Sequence, residues 1–140
     1  VVTRDHLRSS YERNTAAMTY KWIVRSTPGN GSRRVDNDPK KGNCLKNGDI
    51  MYLQNNYMDN RWLSGSRTSG NEEVVTRDHL RSSYERNTAA TTYKWIVRST
   101  PGNGSRRVDN DPKKGNCLKY GDIMYLQNNY MDNRWLNGAR

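Results

Sequence analysis

The 140-residue sequence contains no phenylalanine, only two histidines and two cysteines, and no long hydrophobic run. A membrane-spanning helix needs about 20 mostly apolar residues, so the sequence predicts no membrane insertion. Hydrophobic residues make up 32% of the chain and the mean hydropathy is −1.15, values that taken alone favour disorder. Four tryptophans and nine tyrosines argue against disorder, because disordered segments contain few aromatic residues. We therefore predict a folded protein with a thin, aromatic core.

The shortage of histidine and cysteine limits the chemistry that the chain can perform. His6 and His79 occupy equivalent positions of an internal repeat, so each repeat contains one histidine. The sequence has no Ser-His-Asp or Cys-His pattern, no spacing typical of zinc sites and no glycine-rich phosphate loop. Carboxylates are present, but no feature selects two of them as a glycosidase pair. We predict a protein that is not an enzyme and that uses neither a metal nor a cofactor.

Cys44 and Cys117 are also equivalent, so a disulfide within one repeat is impossible. The two cysteines can pair with each other, pair between chains or remain free, and their spacing does not decide among these alternatives. We expect free or buried thiols first. The sequence begins with Val1 and carries no signal peptide, which is consistent with a processed chain, and we expect a secreted protein.

The dominant feature of the sequence is its internal repeat. Residues 1–67 match residues 74–140 with an offset of 73, so we divide the chain into repeat 1 (1–73) and repeat 2 (74–140). Polar loops that are identical in both copies suggest two equivalent sites, although a recent duplication explains the identity equally well. Only four aligned positions differ, namely Met18/Thr91, Asn47/Tyr120, Ser64/Asn137 and Ser66/Ala139.

Alternation of apolar and polar residues predicts short strands, and no helical amphipathic pattern continues beyond one turn. The unmatched residues 68–73 are polar and predict a turn, whereas residues 33–46 predict a long basic loop. The fold class is therefore all-β with long loops. The predicted strands are residues 1–5, 19–25, 49–54, 61–64, 73–76 and 93–98.

The two ends of the chain predict how the sheet closes. The residues that begin and end the chain are copies of segments that adjoin the turn at 68–73, where they are expected to form a hairpin. Pairing of the N-terminal strand with the C-terminal repeat would remove two exposed sheet edges. We therefore predict a closed, pseudo-two-fold body, with one unit of about 44–99 and another of about 117–140 plus 1–26.

A polar loop follows the strand at 49–54 and ends at a tryptophan, with the sequence Asn55-Asn-Tyr-Met-Asp-Asn-Arg-Trp62. Its amides and carboxylate can form hydrogen bonds with the hydroxyls of a sugar, and an aromatic ring can pack on the apolar face of the sugar. Arg61 can orient Asp59 through a bidentate pair. The alternative is an ordinary hairpin turn with Trp62 in the core.

A second segment, 74–78, is expected to lead an arginine and a carboxylate towards that loop; the alternative is a surface ion pair that contributes about 0–1 kcal/mol. The candidate carbohydrate-binding residues of one site are Asn56, Tyr57, Asp59, Asn60, Arg61, Trp62, Arg77, Asp78 and Tyr84. Those of the other site are Asn129, Tyr130, Asp132, Asn133, Arg134, Trp135, Arg4, Asp5 and Tyr11.

The basic loop at 33–46 and its copy contribute to a net charge of +10. Such a charge attracts polyanions at low salt, but a nucleic-acid reader usually interleaves aromatic residues with the charges. The first copy of the loop contains no aromatic residue, and the second has only Tyr120 beside it. A solvated face is the simpler interpretation. Sulfated or sialylated glycans are an intermediate possibility.

Two resemblances bear on function. The order of Gly48-Asp-Ile-Met-Tyr-Leu-Gln-Asn55, Arg61-Trp-Leu-Ser-Gly65, Val74-Val-Thr-Arg-Asp78 and Tyr93-Lys-Trp-Ile-Val97 resembles one unit of a β-trefoil lectin, whose body contains three units. Residues 62–67, with Asn71 and Val74-Val75, are similar to a motif of the tandem-repeat high-mannose agglutinins of cyanobacteria and red algae. Those agglutinins share one barrel between two repeats, but they are Gly-rich where this chain has a basic loop. Both resemblances imply sugar binding.

These observations predict a lectin with two equivalent sites that cross-links glycans on glycoproteins or cell surfaces. A homo-oligomer is possible, since two trefoil-like units do not complete a trefoil. The alternative function is binding of polyanions or nucleic acids through the basic loops. A third possibility is a structural or toxin-like module whose repeats mediate assembly.

Overall fold

The computed structural model describes residues 21–27, 37–55, 61–68, 71–77, 93–101, 110–128 and 134–137. Within these ranges the chain forms seven strands and no helix, which confirms the predicted all-β class. The strands are β1 (Trp22–Arg25), β2 (Ile50–Asn55), β3 (Arg61–Thr68), β4 (Asn71–Arg77), β5 (Trp95–Arg98), β6 (Tyr125–Asn128) and β7 (Arg134–Trp135).

The strands form one antiparallel sheet in the order β4-β3-β2-β5-β6-β7, and β1 also pairs with β2. Among the described strands the sheet is open, because its end strands β4 and β7 do not pair with each other and β1 pairs with β2 alone. The predicted N-terminal strand at residues 1–5, which was expected to close the body, lies outside the described residues. Closure of the body therefore remains a prediction.

The pairing registers of the two repeats correspond. Trp22 is opposite Asn55 in the β1–β2 pair, and Trp95 is opposite Asn128 in the β5–β6 pair. The β2–β3 and β6–β7 pairs also share their register, since the pairing of Gln54 with Trp62 recurs 73 residues later. Identical local sequences have therefore formed identical ladders in the described ranges.

The hairpin of β3 and β4 confirms the pairing that was expected around the unmatched segment. The ladder runs without interruption from Trp62 opposite Arg77 to Thr68 opposite Asn71. The predicted turn at 68–73 is too long, because Thr68 and residues 71–73 belong to the strands. Only two residues connect β3 to β4, and such a connection is typical of a hairpin.

The core is thin and aromatic, as the composition predicts. Its main cluster packs against half-buried Trp22, Leu45, Leu53 and Leu118, and its buried members are Met51, Leu63, Trp95, Val97 and Leu126. The indole N–H of Trp95 donates a hydrogen bond to the carbonyl of Leu63 at 3.2 Å, so this buried donor is satisfied. A second cluster contains Tyr52, Trp62 and Tyr93.

Cys44 and Cys117 form a disulfide, with a Cα–Cα distance of 5.6 Å that lies in the usual range. The expectation of free thiols is therefore wrong. The sequence spacing of the cysteines could not reveal the disulfide. They are 73 residues apart, and it is backbone pairing between the two repeats that brings them together. Next to the disulfide, the N–H of Leu118 donates to the carbonyl of Leu45 at 2.8 Å. The backbones of Lys46 and Cys117 pair there as an isolated antiparallel β-bridge.

Candidate functional site

The two predicted loops connect strands whose ends are paired in the same way. Asn55 is opposite Arg61 at the end of the β2–β3 ladder, and Asn128 is opposite Arg134 at the end of the β6–β7 ladder. Each pair closes a five-residue connection, 56–60 or 129–133. The structure therefore describes the base of each predicted site.

Most of the predicted site residues lie outside the described residues, so their placement stays a prediction. In the first site these residues are Asn56, Tyr57, Asp59, Asn60, Asp78 and Tyr84. In the second site they are Asn129, Tyr130, Asp132, Asn133, Arg4, Asp5 and Tyr11. The described members are Arg61, Trp62, Arg77, Arg134 and Trp135.

The structure brings the two predicted segments of the first site together through the β3–β4 ladder, which places Arg77 directly opposite Trp62. Trp62 itself is only 1% exposed, and its ring contacts Tyr52 edge to face with a centroid distance of 6.5 Å. This burial favours the core role of Trp62 over stacking on a sugar. The same edge-to-face contact recurs between Tyr125 and half-buried Trp135 at 6.4 Å.

Buried amides hold the base of each loop, a role that the sequence did not predict. Gln54, Asn55, Gln127 and Asn128 are all buried, and a buried amide requires hydrogen-bond partners. The side-chain carbonyl of Gln54 accepts a hydrogen bond from Nε of Arg25 at 3.3 Å, and Gln127 accepts the same bond from Arg98. The identity of Leu-Gln-Asn in both copies is the only sequence signal for this role.

A second feature is a groove of about 680 Å³ beside β1, which we call the β1 groove. It is lined by residues 23–26, Asp38, residues 40–45, residues 48–52 and Lys94. The lining includes the cations Arg25, Lys40, Lys41 and Lys94. Two of them, Lys40 and Lys41, belong to the basic loop and are exposed.

The turn that borders the β1 groove is fixed by Asp38. Its carboxylate accepts hydrogen bonds from the backbone N–H of Ser26 at 2.7 Å, from the Ser26 hydroxyl and from the N–H of Lys40 at 2.9 Å. Burial raises the pKa of Asp38, but these hydrogen bonds and the charge of Arg25 outweigh burial and lower the pKa below its ordinary value. Gly42 completes the turn with a φ of 90°, which favours glycine.

The same arrangement recurs in repeat 2. Asp111 accepts hydrogen bonds from the N–H of Ser99 at 2.7 Å and of Lys113 at 2.9 Å. Burial again raises the pKa of Asp111, and the hydrogen bonds together with Arg98 lower it overall. The run Asp-Pro-Lys-Lys-Gly, present in both repeats, is the signal that could have identified these turns from sequence.

Among the described residues, no three His, Cys, Asp or Glu side chains form a group that could hold a metal ion. The described ranges contain no helix of the length and apolar character that crossing a membrane requires. No protein-family model, no curated protein and no solved structure gives a significant match to this chain.

Proposed function

We propose that the protein is a lectin with two equivalent carbohydrate sites, one at residues 56–60 and one at 129–133. The observation that carries the proposal is the shared register of the two hairpins, which each present the same Asn-Tyr-Met-Asp-Asn sequence between a paired asparagine and arginine. Equal loops on equal bases favour two sites of the same specificity.

The polar and aromatic side chains in and beside the loop have distinct roles in this proposal. The amides of Asn56 and Asn60 and the carboxylate of Asp59 bond the sugar hydroxyls, and the ring of Tyr57 packs on the apolar face of the sugar. Arg61 orients Asp59 or pairs with an acidic sugar. Trp62 belongs to the core and does not stack on the sugar, because its ring is buried.

Binding requires no chemical step. A shallow, hydrated sugar site gains little net free energy, so single-site affinity is modest. Two sites on one chain bridge two glycans, and avidity can exceed single-site affinity by about 10²–10⁴. The disulfide between Cys44 and Cys117 supports an oxidising compartment, which fits a secreted lectin.

A glycan array followed by titration of the best ligand through Trp fluorescence tests this function. The double variant Tyr57→Ala/Tyr130→Ala is expected to lose binding at least tenfold, which corresponds to about 1.4 kcal/mol. The control Tyr57→Phe/Tyr130→Phe keeps the aromatic face and is expected to bind nearly as well as the original chain. Absence of glycan binding at micromolar protein would overturn the proposal.

A second candidate function is polyanion binding, which the cations around the β1 groove favour. Lys40, Lys41, Arg25 and Lys94 line the same groove, in a chain of net charge +10. Such binding weakens steeply as salt increases. A sulfated polysaccharide titrated at several salt concentrations separates the two functions, because a neutral sugar site is indifferent to salt and to Lys40→Ala/Lys41→Ala.

A further inference from the structure

The strands β1 and β5 have the same sequence, Trp-Ile-Val-Arg, but very different surroundings. All four residues of β5 are buried, and Val97 has no exposed surface. Its equivalent in β1, Val24, is 51% exposed. The difference follows from pairing, because β5 lies between β2 and β6, whereas among the described strands β1 pairs with β2 alone.

Residues 48–51 form the edge that covers β5. The N–H of Gly48 donates to the carbonyl of Val97 at 2.7 Å, and the N–H of Val97 donates to the carbonyl of Asp49 at 3.0 Å. The ladder continues with Ile50 opposite Ile96 and Met51 opposite Trp95. This contact therefore combines main-chain hydrogen bonds with burial of Met51, Trp95 and Ile96, whereas Ile50 stays 40% exposed.

Repeat 2 contains a second copy of this covering segment. Residues 121–124 repeat the sequence Gly-Asp-Ile-Met, but no described strand pairs with them, and β6 begins only at Tyr125. Met124 is 45% exposed, whereas the equivalent Met51 is 1% exposed, and Ile123 is 74% exposed. Among the described residues, β1 thus has one edge with no paired strand, and residues 121–124, which repeat the sequence that pairs with β5, have no paired strand either.

The β1 groove corresponds to the place that the cover occupies in repeat 2. There, the N–H of Gly115 donates to the carbonyl of Asn47 at 2.9 Å, and Asn47 donates to the carbonyl of Asn116 at 3.0 Å. The glycine that follows, Gly48, lies against the side chain of Lys114. Lys114, Gly115 and Asn116 thus contact residues 47 and 48. Their equivalents in repeat 1 are Lys41, Gly42 and Asn43, and all three line the β1 groove.

Residues 121–124 directly precede β6. If they paired with β1 of the same chain, the strands β1, β2, β5 and β6 would close into a ring of four. The pairing registers place the core side chains of Met51, Trp95, Val97 and Leu126 on one face, which would be the interior of that ring. About eight strands are needed before a closed barrel is just wide enough to hold side chains. A four-stranded ring is too narrow for an indole and its neighbours, so residues 121–124 of the same chain are not the cover.

We propose that a second copy of this chain binds in the β1 groove through residues 121–124. Ile123 of one copy then lies opposite Ile23 of the next, and Met124 lies opposite Trp22, as in the β2–β5 pair. The contact joins different surfaces of the two copies, so it continues into a ring or an open chain of subunits. In that register Met124 is level with Asn55, which lies opposite Trp22, so the contact ends beside the base of the 56–60 loop. A polyanion bound in the β1 groove would compete with residues 121–124 of the second copy for the same place.

Sedimentation velocity over a range of concentrations tests the assembly. The chain of 16.2 kDa is expected to shift to species of at least twice that mass as concentration increases. The variant Met124→Lys is expected to stay monomeric, because it introduces a charge at the position whose equivalent in the covered contact, Met51, is only 1% exposed. The control Leu136→Lys changes another exposed apolar residue, at 40% exposure, and is expected to assemble normally. Far-UV circular dichroism checks that each variant is folded.

Cysteine cross-linking identifies the contact itself. Directly opposite residues of an antiparallel pair have Cα atoms about 4.5–5.5 Å apart, within reach of a disulfide. A tagged chain with Ile23→Cys is expected to cross-link to an untagged chain with Ile123→Cys, but not to one with Leu136→Cys. A monomer at every concentration, association that Met124→Lys leaves unchanged, or a cross-link formed only within a chain carrying both cysteines would each overturn the proposal.

Discussion

Cys44 and Cys117, which hold the same position in the two repeats, are joined by a disulfide across a Cα–Cα distance of 5.6 Å. Backbone pairing next to the bond, from Leu45 with Leu118 to Asn47 with Asn116, connects repeat 1 to repeat 2. The disulfide therefore lies where the two halves of the protein meet.

Removal of this disulfide is expected to destabilise the protein substantially. Cys44→Ser/Cys117→Ser should lower the free energy of unfolding by about 2–4 kcal/mol, because the bond closes a long loop in the unfolded chain. Urea unfolding measures the loss, and the reduced original chain serves as the control, with the same expected midpoint. An unchanged midpoint in both samples would show that the bond is not formed in solution.

The carboxylates of Asp38 and Asp111 are expected to make stability depend on acid pH. Their folded-state pKa values are lowered, so they stabilise the fold above the unfolded-state pKa of about 3.9. That contribution is lost as pH falls through the lower, folded-state pKa. Asp38→Asn/Asp111→Asn should therefore flatten the slope of unfolding free energy against pH below about pH 4. Equal slopes in the variant and the original chain would contradict this assignment.

The two Arg–Gln pairs are expected to differ in importance despite their equal distances. Gln127→Leu removes an acceptor of Arg98, which is 5% exposed, and should cost about 1–3 kcal/mol. Gln54→Leu removes the same acceptor from Arg25, which is only half-buried, so water can replace part of the bond and the loss should be smaller. Thermal unfolding of both variants makes the comparison, and an equal loss would argue against the difference in burial.

The two methionines of the Gly-Asp-Ile-Met segments offer a matched comparison in the core and at the open edge. Met51→Ala should destabilise the fold by about 2–5 kcal/mol, because Met51 is 1% exposed and belongs to the main cluster. Met124→Ala should change the stability of the dilute protein by only about 0.5 kcal/mol, since Met124 is 45% exposed and lies outside the main cluster. At high concentration Met124→Ala should instead weaken assembly. Equal destabilisation of the dilute protein would indicate that both segments are covered.

Local patterns in the sequence were sufficient to predict the strands but not their partners. Alternation located β1 to β5 within a few residues, and the expected hairpin around residues 68–73 is the β3–β4 pair. The contrast between Val24 and Val97 could not be predicted, because both lie in the same four-residue sequence and differ only in long-range pairing. The disulfide was missed for the same reason. At the candidate site, the burial of Trp62 was one of two alternatives that the sequence left open, and the buried roles of Gln54 and Asn55 gave no periodic signal.

The stoichiometry of glycan binding tests the central claim most directly. Isothermal titration of the best array ligand is expected to give two sites of equal affinity per chain, and Tyr57→Ala is expected to leave one site, since Tyr130 remains in repeat 2. A single site per chain, or binding only of sulfated polymers that is lost as salt increases, would contradict a two-site lectin.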